Sequence, residues 1–459
     1  KLLFGLPAKA AITVSVGRPR RSSTPNVNSS LISNPFIFKT THKQDQLRQL
    51  SLMHPSAQIQ VVDFYDSYKS LIIYFANQSR LSLRSPKKIA QSAFINKKAQ
   101  IEIEDYTNNL IKDQKESYSN LKSFFVYERC INVFSFYESE EYLQCERNFK
   151  SLTKLDISAC FDSIYTHSLA WAVYGKNFTK SNIGAVENAF AGKFDTLMRR
   201  MNHNETNGIV IGPEVSRLFS EIILQSIDAD LMNKLVARGQ KDGEDFKIYR
   251  YVDDYFIFHN NEECLVAIKK LLQDTLRIYK LSLNKGKEET FGRPMITPIT
   301  IAKNSISDLF DTHLCPSFVS SYNRKNIGPA SELQPSNSSL ITCFKSIIST
   351  AGVSYGDVLN YSLSIIEDKF CSLIDHYKKS VISDKGDEAV TAAMESIIDI
   401  AFFIYSVSPK VNTTIKLCRI SQKILHFYNS RAIGLSASDR IRDKIHLESR
   451  RIIDRYNHA

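Results

Sequence analysis

Long apolar runs are missing from this chain. No stretch of about 20 apolar residues occurs in its 459 residues, so no membrane-spanning helix is expected. The nearest approach, Ile397 to Val407, is short and carries Asp399, and a buried helix accounts for it. Paired cysteines are missing too. The eight cysteines are scattered with no CxxC pair, which removes the usual signs of a zinc site or disulfide framework and fits a reducing, cytoplasmic compartment. Tryptophan occurs once, at Trp171, an expected core position. The chain opens on Lys1 rather than Met and shows no signal peptide, so its natural start is expected upstream.

What is present is an ordinary globular mixture with a basic excess. Hydrophobic residues make up 43% and charged residues 23%, enough apolar material for a large core and two or three domains. Lys plus Arg number 59 against 48 acidic residues, a formal net charge of +11. That excess suggests an anionic partner, of which nucleic acid is the commonest.

Residues 1–30 read as an extended N-terminal arm with a basic cluster at Arg18, Arg20 and Arg21. Alternation over 34–55 predicts two short strands joined by a basic turn, and 58–76 predicts an amphipathic helix. Residues 100–150 are polar with helical pieces. Then 151–175 reads as a strand running into a helix, and 207–235 as a glycine-containing loop followed by a long helix. Residues 246–260 read as two strands with an acidic turn, and 264–290 as a helix, a strand and a lysine-rich turn. Residues 303–338 are loop-like, rich in Ser, Asn and Pro. Helical patterns follow at 340–350, 355–379, 387–408, 412–430 and 436–456, predicting an all-α domain.

The acidic turn carries the chemistry. Asp253 and Asp254 lie side by side at the tip of the predicted hairpin, with no glycine to relieve the turn. Adjacent like charges repel unless a cation binds between them, although a solvated hairpin tip is the plainer reading of a bare Asp-Asp. Asp156 ends another apolar strand about one hundred residues earlier. Phosphoryl transfer needs carboxylates from separate strands at one point, holding two Mg²⁺ ions about 3.5–4 Å apart.

The flanks add a family resemblance. "YVDD" at 251–254 resembles the active-site tetrad of reverse transcriptases, "LDISACFDSI" at 155–164 their preceding catalytic motif, and "GIVIGPEVSRLFSEIIL" at 208–224 their intervening loop and helix. The resemblance covers roughly residues 30–300. It implies an α+β right-hand polymerase, with fingers and palm over 31–310, followed by an all-α, helical-repeat-like C-terminal domain over 320–459. By match, Asp156 and Asp253 would be the main metal ligands, Asp254 would support them, and the Ile157 carbonyl would lie near the second metal. Phe161 would pack under the sugar and select deoxynucleotides. Arg48, in "LRQLSLMHPSAQ", would grip the incoming triphosphate, with Lys39 a second phosphate contact. Lys287, in "LSLNKGKEET", would protonate the leaving pyrophosphate, with Lys285 close by. Two Mg²⁺ ions, or Mn²⁺ in their place, are the implied cofactors, and deoxynucleoside triphosphates and nucleic acid the implied partners.

The loop departs from the usual Pro-Gln-Gly: Val210, Ile211 and Gly212 take those places, and the resemblance implies that Gly212 would lie at the nucleotide. "RLSLRSPKKIA" (80–90), "SFYESEEYLQCERNF" (135–149) and "CFDSIYTHSLAWAVYGK" (160–176) are similar to the defence-associated reverse transcriptases of bacteria. These are the abortive-infection proteins AbiK, AbiA and Abi-P2 and the DRT systems, among which a type 3 system subunit is the nearest choice. That branch implies antiviral DNA synthesis, in some members without a conventional template or primer, with homo- or hetero-oligomers, a partner reverse transcriptase or a noncoding RNA. The competing readings are an RNA-templated enzyme of retron or intron type and a noncatalytic nucleic-acid scaffold that keeps the palm. His167 is expected to be a hydrogen-bonded helix residue, and Arg217 to pair with Glu214 or Glu221 or to reach substrate.

Overall fold

The computed structural model describes residues 32–43, 46–90, 124–127, 129–130, 132–314, 337–379, 384–430 and 435–456. The N-terminal arm expected over 1–30 lies outside them, as do residues 100–123 of the polar segment. Strands β1 (Phe36–Lys43) and β2 (Gln46–Leu52) form a separate antiparallel ribbon, as the alternation over 34–55 predicts. β3 (Lys88–Ile89) and β4 (Phe125–Val126) make a second, very short pair.

The main sheet has four antiparallel strands: β5 (Ser151–Asp156), β6 (Phe246–Tyr251), β7 (Asp254–His259) and β8 (Glu289–Gly292), in the order β6-β7-β5-β8. Side chains alternate across a strand, so each strand feeds two faces. Leu155, Ile248, Tyr255 and Ile257 point into one core, shared with helices Pro55–Phe75, Phe190–Arg200, Glu214–Ala237 and Glu262–Ile278. Leu152, Tyr249, Phe256 and Phe258 point into a second core, closed by Phe136, Tyr142, Phe149 and Met295. Two covered faces explain why Tyr255–Phe258 is apolar without alternation.

Two local expectations need correction. The residues between β6 and β7 are Val252 and Asp253, whereas Asp254 is the first residue of β7, paired with Tyr251. The strand expected near 281–284 is a single bridge, Leu283 with Ile157. The true edge strand, β8, comes after a 3-10 turn at Lys285–Lys287. A short helix at Cys160–Ser163 also separates β5 from the helix Ser168–Tyr174.

The C-terminal region is helical: Asn337–Ala351, Tyr355–Lys379, Asp384–Val407, Val411–Ser430 and Leu435–Tyr456 follow the five periodic segments closely. A sixth helix, Pro298–Leu314, overturns the first part of the loop expected over 303–338, of which residues 315–336 lie outside the described residues. Its Ala302, Ile306, Leu309 and Phe310 recur at helical spacing and are buried in the same apolar core as the other five. The Asn and Ser residues between them hid that stripe. Lys303 on this helix lies over the ring of Phe134, 2.9 Å from its centroid, and 5.1 Å from that of Tyr361. Burial pulls its ammonium pKa down to about 8. No helix among the described residues is long and apolar enough to cross a membrane.

Phe310 is fully buried, so Phe310→Ala is expected to destabilise the helical region by about 3–5 kcal/mol in chemical denaturation. A loss below about 1 kcal/mol would mean that the helix is not seated in that core.

Candidate active site

The three aspartates meet at one end of the main sheet. Asp156 ends β5 and lies directly across from Asp254, which begins β7. Asp253 occupies the turn between β6 and β7, and its carbonyl accepts a hydrogen bond from the Ile157 N–H at 3.2 Å. The main chain beyond Asp156 is fixed by Ser158 N–H to the Ser282 carbonyl and by Asn284 N–H to the Asp156 carbonyl, both 2.8 Å. One carboxylate oxygen of Asp156 accepts from Lys287 Nζ at 2.9 Å and from Asn284 Nδ2 at 3.3 Å.

Crowding of like charge shows in the titration of the site. Burial, then the neighbouring Asp253 and Asp156, pushes Asp254 up to about 6. Asp253 is raised too, chiefly by burial, while the charges of Lys287 and Arg48 oppose the rise. The hydrogen bond to Asp156 raises Lys287. Lys154, two residues before Asp156 on the same face of β5, pairs with Glu289 at 3.4 Å and acts against the rise at Asp254.

Among the described residues, no three His, Cys, Asp or Glu side chains form a closed metal cage. Asp156 is turned towards Lys287 and Asn284 instead. The donor set still fits Mg²⁺, which takes hard oxygens and is usually held by one or two carboxylates plus substrate phosphate and water.

The turn is strained. Val252 has φ 57°, a left-handed conformation that a β-branched residue rarely takes and that costs about 1–3 kcal/mol. A two-residue hairpin turn of this kind usually has glycine there. Instead, the Val252 carbonyl accepts a 2.8 Å bond from Arg250 Nη1. A hydrogen bond from a charged donor contributes about 1.5–3 kcal/mol, comparable with the strain. Arg250 is fully buried. Its Nε donates to Asp228 at 2.8 Å, and Nη1 and Nη2 donate to Glu221 at 2.9 and 3.0 Å. Burial pushes Asp228 up to about 6, opposed by Arg250 and by the Tyr255 hydroxyl donating at 2.8 Å. The sequence reading passed over Arg250. Its signal was legible: an arginine in an apolar strand, and two acids seven residues apart on one face of a largely apolar helix.

The remaining residues separate into two groups. Phe161 is half-buried against the core and its carbonyl accepts from Ile209 N–H at 2.9 Å, which places it beside the loop. That loop is stitched to the ribbon by Ser51 N–H donating to the Ile211 carbonyl at 2.8 Å. Gly212 has φ 131°, and a Cβ there would lie 2.9 Å from the Ser51 carbonyl oxygen. Arg48 is exposed on β2 with its charge acting on Asp253. Lys39 is exposed on β1, but its neighbour Thr40 is the cross-strand partner of Arg48, so Lys39 and Arg48 lie on opposite faces of the ribbon. Lys39 therefore does not join Arg48 in a single phosphate grip. Lys285 is exposed in the turn that carries Lys287. His167 Nδ1 pairs with Asp195 at 2.9 Å, and Arg217 with Glu214 at 3.4 Å.

Asp254→Asn should raise the melting temperature of metal-free protein by about 1–3 °C at pH 7.5, because it removes a disfavoured charge. The folded pKa is above the ordinary 3.8, so wild type itself gains stability as pH falls through 6, and the advantage of the variant should shrink at pH 5.5. A lower melting temperature for the variant at pH 7.5 would contradict this. Gly212→Ala should cost about 1–3 kcal/mol and speed hydrogen exchange at the Ser51 amide. Unchanged exchange would refute the close approach.

Comparison with known proteins adds a family match. Residues 91–302 match the family described as reverse transcriptase (RNA-dependent DNA polymerase). No curated protein matches the chain. Among solved structures, telomerase from Candida albicans in complex with a fragment of telomeric RNA is 12% identical, with 91% of this chain and 67% of that chain covered and a TM-score of 0.33. Apo telomerase from Candida tropicalis is 11% identical, with 92% and 70% covered and a TM-score of 0.36. Likenesses that low carry no argument about this chain. The domain match does: the chain contains a reverse transcriptase domain, which indicates an RNA-directed DNA polymerase, a nucleotidyltransferase.

Proposed function

We propose that the chain makes DNA from deoxynucleoside triphosphates by two-metal transfer, in a right-hand cleft with the four-stranded sheet as palm and the β1–β2 ribbon in the fingers. The carrying observation is the cross-strand pairing of Asp156 with Asp254, with Asp253 in the closing turn. Asp156 and Asp253 hold the cations, and Asp254 adds charge behind them. The ions, when bound, neutralise charge on the attacking 3′ oxygen and on the leaving pyrophosphate.

The other groups act on the substrate. Arg48 binds the triphosphate with its planar fork. Phe161 supports the sugar and disfavours a 2′ hydroxyl, and Gly212 lets the loop lie against the ribbon at the nucleotide. Lys287 leaves Asp156 as the nucleotide enters. The 3′ hydroxyl gives up its proton to water as its oxygen bonds to the α-phosphorus, the bond from the α-phosphorus to the bridging oxygen breaks, and Lys287 gives a proton to the departing pyrophosphate. The motif resemblance and Ile211 in the usual glutamine place favour the bacterial antiviral-defence branch, with synthesis independent of a conventional template or primer.

Purified protein should incorporate labelled deoxynucleotides with Mg²⁺ or Mn²⁺, and Asp253→Ala with Asp254→Ala should abolish this. Synthesis without added nucleic acid, persisting after RNase treatment of the protein, supports the template-independent reading. Strict dependence on added RNA and primer would replace it with templated copying. Failure under every template and primer condition would sink the catalytic assignment.

A further inference from the structure

We propose that Arg250 is a positioning residue for the catalytic turn: its guanidinium fixes the direction in which Asp253 and Asp254 face the cations. The proposal rests on the assignment of those aspartates as cation ligands. The main chain of Arg250 is fixed on both sides. On one side it is registered with Tyr255 of β7. On the other, its N–H donates to the Leu81 carbonyl at 2.8 Å and its carbonyl accepts from Leu83 N–H at 2.7 Å. The side chain turns back along its own strand end and donates to the Val252 carbonyl, one residue before Asp253. Its other donors are taken by Glu221 and Asp228, on a 24-residue helix.

This geometry separates aiming from simple packing. A buried arginine needs acidic partners, and Glu221 and Asp228 already provide them. The bond to Val252 is additional, and it holds the peptide that sets the left-handed turn. Only a planar fork can donate to Glu221 and Val252 from one nitrogen while a second nitrogen completes the carboxylate pair. Lysine in that place keeps a positive charge but cannot make all these bonds together. The turn would then relax, and the two aspartates would no longer face one point.

The test uses the full chain with Arg250→Lys and Glu221→Gln, the second keeping an acceptor and nearly the same volume. Binding of Mn²⁺ is read from the loss of the free-ion electron paramagnetic resonance signal, without substrate, and circular dichroism reports the fold. Arg250→Lys should weaken Mn²⁺ binding on the order of 10-fold, and Glu221→Gln in the same direction by at least about threefold. In activity, kcat and the metal concentration for half-maximal rate should change while KM for deoxynucleotide does not. A structural defect alone would lower the fraction of active protein and leave the metal affinity of that fraction unchanged. Wild-type Mn²⁺ affinity in either folded variant overturns the proposal. If Asp253→Ala itself binds Mn²⁺ and polymerises like wild type, the aspartate assignment fails first and this inference with it.

Discussion

A positive charge with no access to water holds the centre of this molecule together. Arg250 reaches Glu221 and Asp228 on the long helix, the Val252 carbonyl in the turn and, through its main chain, residues 81–83. Breaking such a buried pair by removing one partner costs about 3–5 kcal/mol, because the remaining charge is stranded. Three segments distant in sequence are therefore fixed to one another before any substrate arrives. Tyr255 adds a further tie by donating to Asp228.

Around the acidic tip the charges are arranged differently. The guanidinium network is closed and dry, whereas Asp253 and Asp254 are partly exposed and repel Asp156. Lys287, Lys154 and Arg48 approach from the 3-10 turn, from β5 and from the ribbon, and each offsets part of that repulsion. Lys287 and Arg48 keep exposed side chains there, and Lys154 is half-buried against Glu289. The buried layer sets shape and the exposed layer handles charge.

Much of this was legible in the sequence. The ribbon and five C-terminal helices follow from period-2 and period-3.6 patterning, since burial imposes those spacings directly, and the main hairpin from two short apolar runs about an acidic turn. Asp156 and Asp253 drew attention through the motifs that flank them, "LDISACFDSI" and "YVDD", since an isolated strand-end or turn carboxylate is unremarkable. What escaped depended on registration between segments. The placement of Asp254 inside β7 rather than in the turn needs the exact pairing with Tyr251. The opposed faces of Lys39 and Arg48 need the ribbon register. The helix Pro298–Leu314 was lost to its Ser and Asn content, although Ala302, Ile306 and Phe310 held the correct interval.

The left-handed valine carries one more consequence. A turn of that shape is uphill for the isolated hairpin, since Val252 prefers other backbone angles and no glycine is available. It becomes favourable only when strand, helix and guanidinium are already assembled. The acidic tip thus owes its shape to the surrounding domain rather than to its own sequence. The backbone form of Asp253 and Asp254 is in this chain a property of the whole domain, which a hairpin cut from it would not keep.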